Sequence, residues 1–185
     1  ENNHIHHCLG NRGGIFSGDR VYFDNNTIEF VGGTGLFYQV CTNSRITGNL
    51  IQHIRGSHSN GLSVYQNCAN VLVARNRIIV GFGNYPYTVS TSQNVHTIGN
   101  LVDGMEESYV FAAWGGMTGT NYILQNSFVR AFGNQAFMNI DSTFVVRNNI
   151  IDGGYGIGTE NNYNLYLSKS WSQSATYGWY PASGD

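Results

Sequence analysis

Residues 71–78 read VLVARNRI, residues 21–28 read VYFDNNTI and residues 144–151 read FVVRNNII. All three fit one frame, apolar-x-apolar-x-x-Asn-x-apolar. The frame recurs outward from these stretches as Ile46, Asn49, Ile51; Val95, Asn100, Val102; and Ile123, Asn126, Phe128, with a partial copy at Asn3 and Ile5. Successive anchor asparagines, from Asn3 to Asn149, lie 23, 23, 27, 24, 26 and 23 residues apart. Alternating apolar residues on both sides of an Asn read as two short strands joined by a turn. A near-constant period above 20 residues reads as a solenoid, in which each unit buries its apolar face against its neighbours.

Two further patterns share the period. Asn43, Asn70 and Asn94 each lie six residues before their anchor, and Thr120 and Thr143 take that place later in the chain. Equivalent polar residues at a stacked turn can hydrogen-bond from coil to coil. After each anchor comes a Gly or small residue followed by alternating apolar residues: Gly14-Ile15, Gly35-Leu36, Gly61-Leu62-Ser63-Val64, Val89, Tyr109-Val110-Phe111, Ala136-Phe137-Met138 and Gly156-Ile157. The expected fold is therefore all-β, a single-stranded right-handed parallel β-helix of about six to seven coils, each of three short strands. Ile28, Ile51, Ile78, Val102, Phe128 and Ile151 should stack as one inner column, and Leu36, Leu62, Val89, Val110, Phe137 and Ile157 as another.

A leucine-rich repeat has a similar period and also carries an Asn. Here, however, the apolar positions are Ile, Val and Phe, and the remainder of each unit is Gly-rich and alternating where a helix would be needed. Composition agrees, with 24 Gly and 23 Asn among 185 residues, both tolerant of left-handed backbone, and only nine Leu and one Lys (Lys169). A net charge of −2 without a basic run gives no footprint for nucleic acid or an anionic membrane. No apolar run reaches the roughly 20 residues of a bilayer span. Three cysteines (Cys8, Cys41, Cys68) match no disulfide framework or zinc spacing. Cys41 and Cys68, each eight residues before an anchor, should be stacked neighbours and buried thiols. Low charge with abundant Asn, Tyr and Gly leans towards a secreted, extracellular protein.

The stretches NNTIEFVGGTGLF (25–37) and RNNIIDGGYGIG (147–158) resemble the pectate-lyase-like superfamily of right-handed parallel β-helices, a resemblance running from Asn3 to about Glu160. It implies the fold and a polysaccharide partner held in the groove of the Gly-led strands. It does not imply one activity, because the superfamily includes lyases, hydrolases, epimerases, tailspikes and non-catalytic surface proteins. No close pair of aspartates sits on the Gly-led strands, as in polygalacturonase-like hydrolases. Nor is there the aspartate cluster with Lys and Arg of calcium-dependent pectate lyases.

The coils are expected over residues 1–162, with 163–185 forming a final strand and an irregular tail, rich in Tyr and Trp, lying along the outside. Since solenoids need polar caps and the chain opens on an anchor, the segment reads as a fragment of a longer chain.

Variable loops on a rigid scaffold are where binding groups collect. Four residues before the inward residue of the Gly-led strand, one column reads Asn11, Gly32, His58, Tyr85, Glu106 and Gly133. His58 and Glu106 should lie roughly 10 Å apart, two coil steps, with the Tyr85 phenol between them. Such a trio suits proton abstraction beside a uronate carboxylate or protonation of a glycosidic oxygen. Arg55 and Arg130 are candidates to clamp an acidic sugar, and Phe37, Tyr65, Phe111 and Trp114 to stack on sugar rings as outward residues. His4, His6 and His7 lack a carboxylate at ligand spacing, and Asp103, Glu106 and Glu107 offer few of the oxygens Ca²⁺ needs; no cofactor is expected. The leading expectation is a polysaccharide lyase or glycoside hydrolase acting on an acidic or plant- or algal-type polysaccharide. The alternative is a non-catalytic glycan-binding or structural β-helix, of adhesin or tailspike type.

Overall fold

The computed structural model of the chain describes residues 1–10, 12–56, 59–79, 85–104, 109–130, 136–152, 160–169 and 175–179. They form a right-handed parallel β-helix without helices, its chain winding past three faces in each coil.

The anchor face follows each anchor asparagine. Its strands are His4–Cys8, Thr27–Val31, Leu50–Ile54, Arg77–Ile79, Leu101–Asp103, Ser127–Val129, Ile150–Asp152 and Leu165–Lys169, each paired in parallel with the next. The Gly-led face carries Leu62–Tyr65, Tyr87–Ser90, Phe111–Trp114 and Phe137–Met138, preceded by the first halves of Arg12–Asp19 and Thr34–Thr47. The approach face, leading up to each anchor, carries Tyr22–Asp24, Ala69–Ala74, Gln93–Ile98, Asn121–Leu124, Phe144–Arg147 and Glu160–Asn162. The 14-residue strand Thr34–Thr47 runs unbroken round the corner between the last two faces and joins their ladders into one 12-stranded sheet.

The anchor turn is built from two cooperating residues. The residue before each anchor (Asn2, Asn25, Gly48, Arg75, Gly99, Gln125, Asn148 and Tyr163) has φ between 55° and 68°. This left-handed residue turns the chain sharply and leaves the anchor's own amide inside the corner. An unpaired buried peptide group would be costly. Each anchor N–H therefore donates to the Oδ1 of the next anchor at 2.8–2.9 Å, and its Nδ2 donates to the same oxygen at 2.8–3.2 Å. Asn carries a separate acceptor oxygen and a two-proton donor nitrogen on a short stem and so can make all of these bonds at once, which is why the position is invariant along the chain.

The ladder continues one rung further than the repeat suggests. Asn149 N–H donates to Asn164 Oδ1 at 2.9 Å, across an interval of 15 residues. The strand Glu160–Asn162 places Asn161 at the register position of inward Val146. This polar substitution erases the apolar signature by which the sequence alone identifies a coil. Beyond Asn164, strand Leu165–Lys169 pairs in parallel with Ile150–Asp152 and antiparallel with Ala175–Trp179, so the last strand runs against all the others.

The expected column Ile28, Ile51, Ile78, Val102, Phe128, Ile151 is buried at 0% exposure throughout. The Gly-led columns differ from expectation. The register aligns Leu36, Leu62, Tyr87, Phe111 and Phe137, with Tyr38, Val64, Val89 and Ala113 as a second inner column. Val89 is thus displaced by two positions and Val110 by one, because loops of different length precede the strands and coils lacking the Gly lose the mark of strand entry; Ile157 lies outside the described residues. Tyr87 is tolerated inside because its hydroxyl meets Thr97 Oγ1 at 3.0 Å. Phe111, Phe128 and Phe137 fill the later coils with edge-to-face contacts at 4.8–6.1 Å.

Candidate functional site

In a strand whose odd residues face inward, the even ones line the outside. On the Gly-led face the outward columns are Phe37, Ser63, Thr88, Ala112, Met138 and Gln39, Tyr65, Ser90, Trp114. Large aromatic residues thus flank small hydroxyl residues, and the difference in size opens a cleft of about 430 Å³. Phe37, Tyr65, Tyr85 and Trp114 form its walls, and Asn60, Ser63 and Thr88 its floor.

The walls are mutually supported. Phe37 and Tyr65 rings lie 5.3 Å apart, and Tyr85 lies 5.5 Å from Trp114 and 5.9 Å from Tyr109. The Arg12 guanidinium sits 3.9 Å above the Phe37 ring and helps to shield it. The floor is one hydrogen-bonded cluster. Asn60 Nδ2 donates to Ser63 Oγ at 3.1 Å and reaches Thr88 Oγ1 at 3.4 Å, while the two hydroxyls are 2.8 Å apart. Burial, reinforced by Tyr109, pushes the Tyr85 phenol above its usual range, so it is a neutral hydrogen-bond donor near pH 7.

Of the residues singled out from sequence, Phe37, Tyr65, Tyr85 and Trp114 meet in this cleft. Phe111, which the sequence places outward, turns into the core at 0% exposure, following the one-residue register difference above. Arg130 stands at the end of its anchor-face strand, away from the cleft. Its Nε donates to Asp103 Oδ1 at 2.7 Å, its terminal nitrogen pairs with Asp103 Oδ2, and its backbone N–H donates to Asp152 Oδ2 at 2.9 Å. Arg55 follows strand Leu50–Ile54, is exposed, donates its N–H to Val31 O at 2.9 Å and does not line the cleft. His58 and Glu106 lie outside the described residues, as does Glu107. Sequence reasoning missed Asn60, Ser63 and Thr88. The available signal was the drop in size along one outward column, from Phe37 to Ser63 and Thr88.

The histidine-rich start forms a separate cluster on the anchor face. His4 Nε2 lies 2.7 Å from Glu29 Oε1, His6 Nδ1 lies 2.8 Å from His7 Nδ1, and His7, Phe30 and His53 stack at 5.0 and 4.8 Å. Among the described residues no group of three or more His, Cys, Asp or Glu side chains is placed to hold a metal ion. Cys41 and Cys68 stack as buried free thiols, Cys41 N–H pointing to Cys68 Sγ at 3.3 Å. Burial, with Cys68 beside it, pushes the Cys41 thiol up to about 11, so it is an inert core residue. Among the described residues no helix is long and apolar enough to cross a membrane.

Comparison with known proteins adds one match. The family model described as the right-handed β-helix region covers residues 1–102 of this chain. No curated protein and no solved structure matches.

Proposed function

The chain belongs to the right-handed β-helix family, and on that scaffold we propose a secreted carbohydrate-binding protein that holds a polysaccharide or oligosaccharide along its Gly-led face. One observation carries the reading: four aromatic side chains from successive coils stand round a cluster of hydroxyl and amide groups. A sugar ring is apolar on its faces and rich in hydroxyls at its rim. Aromatic walls with a hydrogen-bonding floor complement both. The walls draw on strands of four coils, three steps of about 4.8 Å, or about 14 Å along the axis. That is an extended site suited to a chain of sugars. It lies parallel to the axis because equivalent residues of a solenoid line up that way.

A second reading, polysaccharide lyase or glycoside hydrolase activity, is favoured by Tyr85. It lines the cleft, and although the register no longer aligns it with His58 and Glu106 in one column, those residues precede the two strands that pair with Tyr87–Ser90 on either side. Catalysis would need those two groups to converge on the bond held there.

The purified chain should be titrated with a panel of polysaccharides while reducing ends and unsaturated uronates are followed. Binding without products is the expected result, with Trp114→Ala and Tyr65→Ala each weakening it about tenfold, or about 1.4 kcal/mol, and leaving the unfolding midpoint unchanged. Products that vanish in His58→Ala and Glu106→Gln would establish the enzyme instead. Failure to bind any member of the panel would sink both.

A further inference from the structure

The floor of the cleft has a hydrogen-bonding balance that discriminates between kinds of sugar. Asn60 Oδ1 is buried and accepts no hydrogen bond among the described residues. The amide nitrogen of the same side chain is directed to Ser63 Oγ and Thr88 Oγ1. These hydroxyls lie 2.8 Å apart, so one of their two protons is held between them and the other is left to point elsewhere. The cluster therefore leaves one acceptor, Asn60 Oδ1, and one hydroxyl proton without a partner among the described residues.

A sugar hydroxyl is both donor and acceptor and meets both requirements. A carboxylate has only acceptor oxygens. It would take the hydroxyl proton but face Asn60 Oδ1 oxygen to oxygen, without a proton between them. Charge points the same way. None of the described residues lining the cleft is a cation or an anion. The Arg130 guanidinium, the sequence's candidate clamp for an acidic sugar, is held by Asp103 at the end of the anchor face. The aromatic walls would also strip water from a bound carboxylate, which disfavours the ionised form, and the Arg12 guanidinium beside them is engaged on the Phe37 ring.

We propose that the Asn60–Ser63–Thr88 cluster is the specificity-determining floor of the cleft and selects neutral, hydroxyl-bearing sugars over uronates. This inference rests on the carbohydrate-binding reading and adds the class of sugar. It departs from the acidic polysaccharide named in the leading expectation from sequence.

Isothermal titration with two sets of oligosaccharides tests it: neutral gluco-, xylo-, manno- and galacto-oligosaccharides against oligogalacturonate and oligomannuronate. At least one neutral set should bind tenfold or more tighter than either uronate. Its affinity should stay within about twofold between about 0.05 and about 0.5 M salt, because no charge pair is being screened. Thr88→Val keeps the side-chain shape and removes the hydroxyl. It should weaken the neutral sugar about tenfold while the protein still unfolds in one cooperative transition, because a site built to hydrogen-bond a hydroxyl loses most when one partner is deleted. Ser63→Ala serves as a second variant. Tighter, salt-sensitive binding of uronates would overturn this inference and leave the carbohydrate-binding reading standing. Neutral binding indifferent to both variants would overturn the role of the floor. Silence with both sets would overturn the reading beneath it as well.

Discussion

Asn76 stands in the middle of the anchor ladder and takes part in four hydrogen bonds through its side chain. Its Oδ1 accepts from Asn49 N–H and Nδ2 at 2.9 Å each, and its Nδ2 donates to Ile46 O at 2.9 Å and Asn100 Oδ1 at 3.0 Å. Asn76→Ala would strand a buried amide on one side and a buried carbonyl on the other, at a cost of roughly 3 kcal/mol, measurable by urea unfolding. Asn70 belongs to the second, exposed ladder, donating to Asn43 Oδ1 and accepting from Asn94 Nδ2, both at 3.0 Å. There water replaces the lost bonds, and Asn70→Ala should cost only about 1 kcal/mol, mostly from a left-handed φ of 56° that Ala resists. A ratio near one between the two substitutions would refute the claim that the buried ladder organises the corner.

Asp24 shows the same logic for a charge. Burial alone would raise its carboxyl pKa, but hydrogen bonds from Arg45 and Thr47, together with the Arg45 charge, outweigh burial and hold it below the ordinary 3.8. A depressed folded-state pKa means stability that is fully present above the unfolded value and is lost as pH falls through the folded one. Stability should therefore decline below about pH 4, and Asp24→Asn should flatten that part of the profile. An unchanged acid limb in Asp24→Asn would show that other carboxylates set it.

At the scale of the strand, Gly35 explains why the Gly-led segments begin as they do. A Cβ there would lie 2.6 Å from the Gly61 carbonyl oxygen of the next coil and 3.0 Å from Ile51. Gly35→Ala must push two coils apart at a backbone contact and should cost about 1–3 kcal/mol in the same unfolding assay. Where Gly marks strand entry, as at Gly35 and Gly61, the residue pattern reveals which positions face inward: Leu36 and Leu62 do pair. Where it is missing, the alternation in YTVS (87–90) and YVFAAW (109–114) admits more than one phase. Tyr87 and Phe111 are aromatic residues that suit either face. Their inward placement depends on loop length and on the space available among Phe128, Phe137 and Phe144, none of which is local information. Phe111 was consequently legible as a large apolar residue but not as a core residue.

Over the whole molecule, the fold was legible because one corner repeats with the same chemistry in every coil. The site was less so, because it is formed from outward residues of different strands together with Asn60 and Tyr85 from the loops that lead into them. Phe37, Tyr65, Tyr85 and Trp114 announce themselves by size, whereas Asn60, Ser63 and Thr88 matter through a hydrogen-bond balance that only coordinates display. The last described rung was obscured for a related reason. Asn164 follows a shortened interval and a polar approach strand, so the apolar period fades there.

The central claim is that the Gly-led cleft takes up sugar. Trp114 is a wall of the cleft, and the chain has two other tryptophans, Trp171 and Trp179. With Trp171 and Trp179 replaced by Phe, the fluorescence of Trp114 reports on that wall directly. Titration with a neutral oligosaccharide should shift its emission to shorter wavelength and saturate, with a dissociation constant equal to that found by calorimetry and weakened about tenfold by Thr88→Val. Calorimetric binding that leaves the Trp114 emission unmoved would place the sugar elsewhere on the molecule and contradict the account.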